Sequence, residues 1–368
     1  MEKEIFGEGR IKSLEGILKH YSAQHVFLVT GKKSYELSGA KEKLENQLQG
    51  RDYHRHFDFE ENPKFSDLLQ GAKAIQAYNP DIIVAVGGGS VMDTAKILSV
   101  LPTDTIKAKK VIKGDINFDE KITPIIAIPT TSGSGSEATH FAVAYVDNVK
   151  YSVAGKSLLP DHVILDPELT YSMSPYQTAV SGMDALCQGI ESYWAKGATE
   201  ESREYSSKAI EEILGSLENA VNNPTPIARQ KMARGAFLAG KAINISKTTA
   251  PHALSYSLTT YYGIPHGHAV ALTIGDIFVL NEQNGDEELK KTMEELANIM
   301  DCKNAEDCKV KIHSLMSKIA LVNNLSDLGI EANNLVNIIS DSVNMERLKN
   351  HPFVLSKDEI EDVLIKLI

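Results

Sequence analysis

The first half of the chain alternates short apolar runs with stretches of helical periodicity. Continuous apolar runs at 25–30 (HVFLVT), 81–86 (DIIVAV) and 124–128 (PIIAI) predict three buried strands. Helical spacing at 34–49 and 91–101 predicts helices after the first two. Strands that alternate with helices and are apolar along their whole length are typical of a parallel sheet covered on both faces. We therefore expect an amino-terminal α/β domain of Rossmann-like type.

From about residue 168 the pattern changes to long helical periodicities without a convincing strand. The predicted helices are 176–195, 199–221, 226–246, 250–262, 268–280, 286–300 and 306–319. We therefore expect an α/β domain with a parallel sheet over residues 1–167, followed by an all-α carboxy-terminal domain over residues 168–368.

Composition excludes several classes of partner. The 368 residues are 42% hydrophobic and 24% charged, and no run approaches the length of a membrane span. A net charge of −11 argues against a nucleic-acid partner, which requires a basic surface. The amino-terminal segment lacks the apolar core of a signal peptide, and three cysteines are too few for a disulfide framework. We expect a cytoplasmic protein with no membrane partner.

A glycine-rich turn follows the second predicted strand and opens a helix. In Gly87-Gly88-Gly89-Ser90, missing side chains allow the backbone to approach a pyrophosphate, whose charge the helix start favours. Asp93 lies on the first helical turn, where it either complements the helix dipole or hydrogen-bonds to the cofactor. The motif is not GxGxxG, and a purely structural turn is the alternative.

Two further loops are candidates for nucleotide binding. The loop after the third strand, PTTSGSGSE at 129–137, is rich in hydroxyls, and we expect Thr130, Thr131 and Ser134 to face the ligand. The loop after the first strand consists of Gly31, Lys32, Lys33 and Ser34. An acidic residue there would hold the ribose 2′-hydroxyl of NAD, whereas two ammonium groups favour the 2′-phosphate of NADP. A surface lysine pair is the alternative.

Four residues in the second half form a candidate metal site. Asp184 and Gln188 are four apart in a helical run and share one face. His252 lies in the predicted helix 250–262, and His266 follows the break at Gly263–Pro265. One carboxylate and two imidazoles suit a divalent ion with a position left open for substrate. Packed or surface histidines are the alternative.

Five segments in order resemble the iron-containing (group III) alcohol dehydrogenase family. They are GGGSVMDTAK (87–96), PTTSGSGSEAT (129–139), SLLPDHVILDP (157–167), SGMDALCQGIES (181–192) and HALSYSLTTYYGIPHG (252–267). The resemblance covers essentially the whole chain. It implies the two-domain architecture shared with dehydroquinate synthase, at least a homodimer, and metal-ligand roles for Asp184, His252 and His266.

The chain departs from the family pattern at two positions. Gln188 stands where the family often has a third histidine, and Tyr256 stands where many members have a histidine near the nicotinamide. A carboxamide oxygen is a harder ligand than imidazole, so zinc, nickel and manganese join iron as candidate metals. We expect Gln188 to bind the metal or to orient a metal-bound water. Tyr256 and His268 become candidates for proton transfer, besides solvent.

A finer resemblance, to phosphonoacetaldehyde reductases, is carried by 241–256 and 263–272. An anionic substrate requires local cations in this acidic chain. Lys241 and Lys247 are candidates for that anion site, and Lys150, which precedes the 157–167 segment with Lys156, is a further candidate catalytic residue. Exposed lysines are the alternative.

The predicted function is metal-dependent reduction of a small aldehyde to a primary alcohol by NADP(H) or NAD(H), with NADP(H) favoured. Phosphonoacetaldehyde, which would give 2-hydroxyethylphosphonate, is one candidate substrate. The alternatives are a dehydrogenase for another small alcohol, polyol or hydroxy acid, a dehydroquinate synthase-like lyase, and a nucleotide-binding protein with a structural metal.

Overall fold

The computed structural model of the chain describes residues 2–118, 123–147, 149–330, 343 and 348–368. The chain divides into two compact units, Met1–Met173 and Ser174–Ile368. Asp166 belongs to the first unit because its carboxylate accepts hydrogen bonds from the backbone N–H groups of Gly9 (3.1 Å) and Ile11 (3.0 Å). Ser174 begins the second unit as the N-cap of its first helix.

The first unit contains a six-stranded parallel sheet. Its strand order is β1-β8-β5-β4-β2-β3, and β6 and β7 form a separate antiparallel pair. The strands are β1 (Glu4–Phe6), β2 (His25–Thr30), β3 (Asp52–His56), β4 (Ile82–Gly87), β5 (Ile125–Pro129), β6 (Phe141–Val146), β7 (Val149–Ala154) and β8 (His162–Leu165). The three apolar runs therefore form three adjacent strands of the sheet, within one residue of their predicted bounds.

Five strands were not predicted, and two of them, β1 and β3, lack the length or the apolar pattern of an ordinary strand. β1 has only three residues, and the edge strand β3 reads DYHRH, with one buried residue. Edge strands are covered on fewer sides, so polar residues are tolerated there.

Six helices accompany the sheet in the described part of the first unit. They are α1 (Leu14–His20), α2 (Ser34–Leu37), α3 (Ala40–Glu45), α4 (Phe65–Tyr78), α5 (Gly89–Leu98) and α6 (Thr105–Lys113). The prediction of one helix over 34–49 is wrong. Gly39 adopts a left-handed backbone (φ 73°), which ends α2 and starts α3 in a new direction.

In the described residues of the second unit all regular elements are helical. They are α7 (Pro175–Trp194), α8 (Glu200–Leu214), α9 (Leu217–Asn222), α10 (Pro226–Ser246), α11 (Ala250–Tyr262), α12 (His266–Asn284), α13 (Glu287–Ile299), α14 (Ala305–Lys318) and α15 (Lys357–Ile365). α7 is central, because every residue from 182 to 194 is buried. The predicted fold class, an α/β domain with a parallel sheet followed by an all-α domain, is confirmed.

One predicted helix of this unit, 199–221, is wrong as a single element. It breaks at Gly215 and Ser216, where the Ser216 hydroxyl donates to the carbonyl of Glu212 (2.5 Å) and satisfies a helix-end acceptor. Within the described residues we find no helix with the length and apolar character that crossing a membrane requires.

Candidate active site

Three predicted metal ligands come together in the helical unit. Asp184 lies in the middle of α7, His252 in the first turn of α11, and His266 at the first residue of α12. One ligand atom from each lies within 4.8 Å of the other two, and His252 Nε2 is 3.4 Å from Asp184 Oδ1. Asp184 and His252 are buried, and His266 is half-buried. A buried carboxylate and two converging imidazoles fit a divalent transition metal.

A close helix approach creates this convergence. α11 ends at Gly263, whose left-handed backbone (φ 69°) turns the chain into α12. At Gly267 a Cβ atom would lie 2.1 Å from the Val180 carbonyl oxygen and 2.8 Å from Asp184 Cβ. Because glycine lacks that atom, the start of α12 packs directly on α7 and places His266 beside Asp184.

Gln188 lies one turn after Asp184 on α7 and is buried. This spacing puts both side chains on one helix face. Its role as a fourth ligand, or as the group that orients a water, stays a prediction.

Glu191 is a site residue that sequence reasoning missed. It lies seven residues after Asp184, is fully buried, and its Oε1 is 2.5 Å from His252 Nδ1. Its Oε2 accepts hydrogen bonds from the backbone N–H (2.6 Å) and hydroxyl (2.9 Å) of Thr249. The spacing of 184, 188 and 191 repeats every helical turn, and that signal could have revealed it.

The two carboxylates also control the protonation of His252. Burial lowers the pKa of His252, but Glu191 and Asp184 outweigh burial and raise it to about 10. A metal ligand must be deprotonated, so a metal ion at Nε2 displaces a proton.

The two candidate proton donors have different surroundings. The ring of Tyr256 stacks on that of His266, with centroids 5.6 Å apart and planes at 14°. His268 is buried, and its Nε2 lies 2.6 Å from the carbonyl oxygen of Val322. Burial lowers the pKa of His268, so a neutral ring that donates to Val322 is favoured. Proton transfer by either residue stays a prediction.

The candidate lysines are spread over both units. In the helical unit, the Lys241 ammonium lies 4.6 Å from the ring centroid of Tyr205, and Lys247 is exposed at the end of α10 with a left-handed backbone. In the α/β unit, Lys150 lies on β7 and Lys156 begins the following short 3-10 helix. Their roles stay predictions.

Two of the three predicted nucleotide loops of the α/β unit contact each other at the carboxyl ends of two adjacent strands. Gly87-Gly88-Gly89-Ser90 follows β4 and opens α5, while the hydroxyl-rich loop follows the adjacent strand β5. A Cβ atom at Gly88 would lie 3.2 Å from Thr131 Oγ1, and one at Gly89 would lie 2.8 Å from Ser134 Oγ. The glycines are therefore needed for packing between the loops, besides any role toward a phosphate. Thr130 continues this contact, donating its backbone N–H to the Gly87 carbonyl (2.9 Å).

Residues of α5 anchor the hydroxyl-rich loop. Asp93 accepts hydrogen bonds from the Ser136 hydroxyl (2.6 Å) and the Val143 backbone N–H (3.0 Å). The buried Lys96 ammonium donates to the backbone carbonyls of Ser136 (2.8 Å), Thr139 and Phe141. Burial lowers the pKa of Lys96 to about 8, and burial raises the pKa of Glu137, in the same loop, to about 7. Asp93 thus has a structural role, and its contact with a cofactor stays a prediction.

The loop after β2 has neighbours that the sequence did not indicate. Arg55, at the end of β3, donates to Thr30 Oγ1 (2.9 Å) and to the Gly31 carbonyl (3.3 Å). Asp58 forms an exposed ion pair with Lys32 (3.1 Å). The loop itself lacks a carboxylate, but Asp58 brings one to it. Both residues were missed because β3 was not predicted.

Comparisons with known proteins cover nearly the whole chain. Residues 2–167 match the family model described as iron-containing alcohol dehydrogenase, and residues 178–368 match the carboxy-terminal model of the Fe-containing alcohol dehydrogenase family. Long-chain-alcohol dehydrogenase 1 of Geobacillus thermodenitrificans is 29% identical over 93% of this chain and 89% of its own length.

One further sequence relative and one solved structure are similar to the chain. Phosphonoacetaldehyde reductase of Streptomyces viridochromogenes is 34% identical over 57% of this chain and 55% of its own length. The structure of sulfoacetaldehyde reductase from Bifidobacterium kashiwanohense, in complex with NAD+, superposes with a TM-score of 0.92 at 29% identity. That superposition covers 99% of this chain and 96% of that one. The chain belongs to the iron-containing alcohol dehydrogenase family and is an alcohol/aldehyde oxidoreductase.

Proposed function

We propose that this member of the family catalyses the metal-dependent reduction of a small anionic aldehyde to a primary alcohol by a reduced nicotinamide cofactor. The observation that carries the proposal is the convergence of Asp184, His252 and His266. Three protein ligands are typical of a catalytic metal site, in which substrate or water takes a further position. Family membership supports a dehydrogenase over the lyase alternative. Net oxidation of the cofactor distinguishes the two, because a lyase would give none.

A divalent ion bound to these three residues would supply Lewis-acid stabilisation of charge on the substrate oxygen. The chain's own contribution is to hold the ligands in place. Glu191 Oε1 contacts His252 Nδ1, and Gly267 brings His266 against α7. Gln188 contributes a neutral ligand or orients a water, so zinc, nickel and manganese are candidates beside iron.

The nicotinamide cofactor would supply hydride when bound. We propose that residues 87–90 bind its pyrophosphate, with Thr130, Thr131, Ser134 and Asp93 contacting the remainder. Tyr256, which stacks on His266, is the proposed proton donor, with His268, Lys150 and solvent as alternatives.

NADP(H) is the proposed preference over NAD(H). The loop after β2 carries Lys32 and Lys33, and the Arg55 guanidinium adds a third positive charge beside it. Asp58, which pairs with Lys32, adds one negative charge. A net positive environment favours a 2′-phosphate. A catalytic efficiency with NADH above that with NADPH would overturn this preference.

A phosphonate or sulfonate group is the proposed anionic part of the substrate. The names of two similar proteins, a phosphonoacetaldehyde reductase and a sulfoacetaldehyde reductase, support it. We propose Lys241 and Lys247 as candidate contacts with that group. A homodimer is also proposed, on family resemblance alone, and so is a cytoplasmic location, on composition.

A substrate panel tests the proposal. Purified protein is supplied with NADPH or NADH and one divalent metal at a time. Phosphonoacetaldehyde, sulfoacetaldehyde, a carboxylate-bearing aldehyde and neutral aldehydes of similar length are then compared by loss of reduced-nicotinamide absorbance. We expect a preference of at least about tenfold in kcat/KM for the anionic compounds, about 1.4 kcal/mol. Equal rates with neutral aldehydes would contradict the anionic substrate, and no turnover with any aldehyde would contradict the function.

A further inference from the structure

A second buried carboxylate lies two helical turns beyond Asp184 on α7. We infer that Glu191 is a positioning residue for the metal centre, which fixes the orientation and tautomer of His252 and supplies a negative charge that balances the ion. This inference rests on the proposed metal site, and it concerns a residue outside the three converging ligands.

The contacts of Glu191 leave it little freedom. The side chain is fully buried, and both oxygens have partners. Oε1 faces His252 Nδ1 at 2.5 Å, while Oε2 accepts the backbone N–H and the hydroxyl of Thr249 at 2.6 and 2.9 Å. With three donors on two oxygens, the carboxylate is well satisfied in its charged form.

Trp194 fixes the direction of the hydrogen bond between Thr249 and Glu191. An indole N–H can only donate, and Trp194 Nε1 donates to Thr249 Oγ1 at 2.9 Å. The hydroxyl proton of Thr249 is therefore directed to Glu191 Oε2. A carboxylate can only accept hydrogen bonds, so opposite Oε1 of Glu191 the ring of His252 carries a proton on Nδ1. Its Nε2, the atom 3.4 Å from Asp184 Oδ1, is then the metal-binding atom.

The segment that carries Thr249 is held by other residues of the helical unit. Asn350 donates through Nδ2 to the carbonyls of Ser246 (2.8 Å) and Thr248 (3.0 Å). The hydroxyls of Ser192 and Ser246 lie 2.6 Å apart. The segment that carries Thr249 is thus held by several hydrogen bonds, which makes the contact of Glu191 Oε2 a property of the fold.

Charge provides an independent reason for the role. A divalent ion with Asp184 leaves one net positive charge, because His252, His266 and Gln188 are neutral ligands. Glu191 makes the buried group neutral overall. An uncompensated buried charge is costly, so removal of the Glu191 charge is expected to weaken divalent binding.

Metal affinity tests this inference without relying on turnover. Metal-free wild-type protein and Glu191→Gln are titrated with Co2+ in competition with a chromophoric chelator, and the visible spectrum of bound Co2+ is recorded. We expect affinity to fall about 10- to 100-fold in Glu191→Gln, with an altered spectrum. Thr249→Val, which removes one donor to Glu191, should show a smaller loss.

Asp276→Asn is the matched control. Asp276 is another buried carboxylate of the same unit, on α12, and its Oδ1 is 2.7 Å from Lys309 Nζ. This variant should lower stability while metal affinity stays within about twofold of wild type.

An unchanged Co2+ affinity in Glu191→Gln would overturn the inference, as would an equal loss in Asp276→Asn. If Glu191→Gln does not fold, Thr249→Val decides, and an unchanged affinity there counts against the role. Failure of the wild-type protein to bind Co2+ would instead refute the metal site of the proposed function, and the inference with it.

Discussion

The metal-ligand group of the helical unit and the nucleotide loops of the α/β unit are held in place in different ways. Asp184, His252 and His266 come from three helices, and their placement depends on a few contacts, including one glycine and one buried carboxylate. The loops after β4 and β5 are held by several hydrogen bonds to backbone atoms. Single substitutions should therefore abolish the first site but only weaken the second.

The largest effect is expected from loss of a ligand. His266→Ala removes an imidazole from the metal-ligand group, and we expect metal binding and turnover to fall by at least about 100-fold. Equilibrium dialysis with metal analysis, together with cofactor oxidation, measures both losses. His20→Ala, at the exposed end of α1, is the control and should behave as wild type. Normal activity of His266→Ala would remove the assignment.

Gly267→Ala tests the close approach of α12 to α7. The added Cβ would lie 2.1 Å from the Val180 carbonyl oxygen, so the helices must separate. We expect the free energy of unfolding to fall by about 2–3 kcal/mol and metal affinity to fall at least about tenfold. Chemical denaturation and chelator competition measure the two effects.

Gly263→Ala is the control for this substitution. An alanine in the left-handed backbone of this position would lower the free energy of unfolding by about 1 kcal/mol. Its Cβ would nevertheless meet no atom of the described residues within 4 Å. A Gly267→Ala variant that retains full metal affinity would show that the approach is unimportant.

Glu137→Gln tests whether the loop of the α/β unit responds gradually to pH. Burial raises the pKa of Glu137 from 4.5 to about 7, so the folded protein binds its proton more tightly than the unfolded chain. Its stabilising contribution is complete below pH 4.5 and is lost as pH rises through about 7. Wild type should therefore lose stability across this window, by an amount on the order of 3 kcal/mol, relative to Glu137→Gln. Parallel pH dependences in denaturant titrations would contradict this.

The smallest effect is expected at the exposed loop after β2. Asp58→Asn removes the carboxylate that pairs with Lys32, so the ratio of kcat/KM for NADPH to that for NADH should rise about two- to fivefold. Exposed charge pairs contribute little, and unfolding should be unaffected. Glu61→Gln, another exposed acid nearby, is the control. An unchanged ratio would show that this loop does not contact the ribose.

Much of the fold was predictable because the apolar signal was strong. The strands at Ile82–Gly87 and Ile125–Pro129 are buried along their whole length, and His25–Thr30 is buried except at His25. The helix Pro226–Ser246 matches its predicted bounds. The edge strand Asp52–His56 lacked that signal because polar residues occupy it. Gly39 broke a helix that periodicity alone would have continued.

The convergence of the metal ligands was predicted from their spacing together with the family resemblance, whereas the residues that support them were not predicted. Asp184 and His252 are typical ligands in a helical pattern. The hydrogen bond between His252 and Glu191 links residues 61 positions apart, and only the fold shows it. Arg55 and Asp58 were missed for a related reason, since β3, which carries Arg55 and precedes Asp58, had no clear pattern.

Metal removal is the most direct test of the central claim. All metal is stripped from the wild-type protein by a chelator, and single divalent ions are added back before aldehyde reduction is measured. We predict an inactive metal-free protein, restored by about one equivalent of a divalent ion, and no restoration in His266→Ala. A metal-free protein that reduces the aldehyde at the rate of the reconstituted enzyme would contradict the claim.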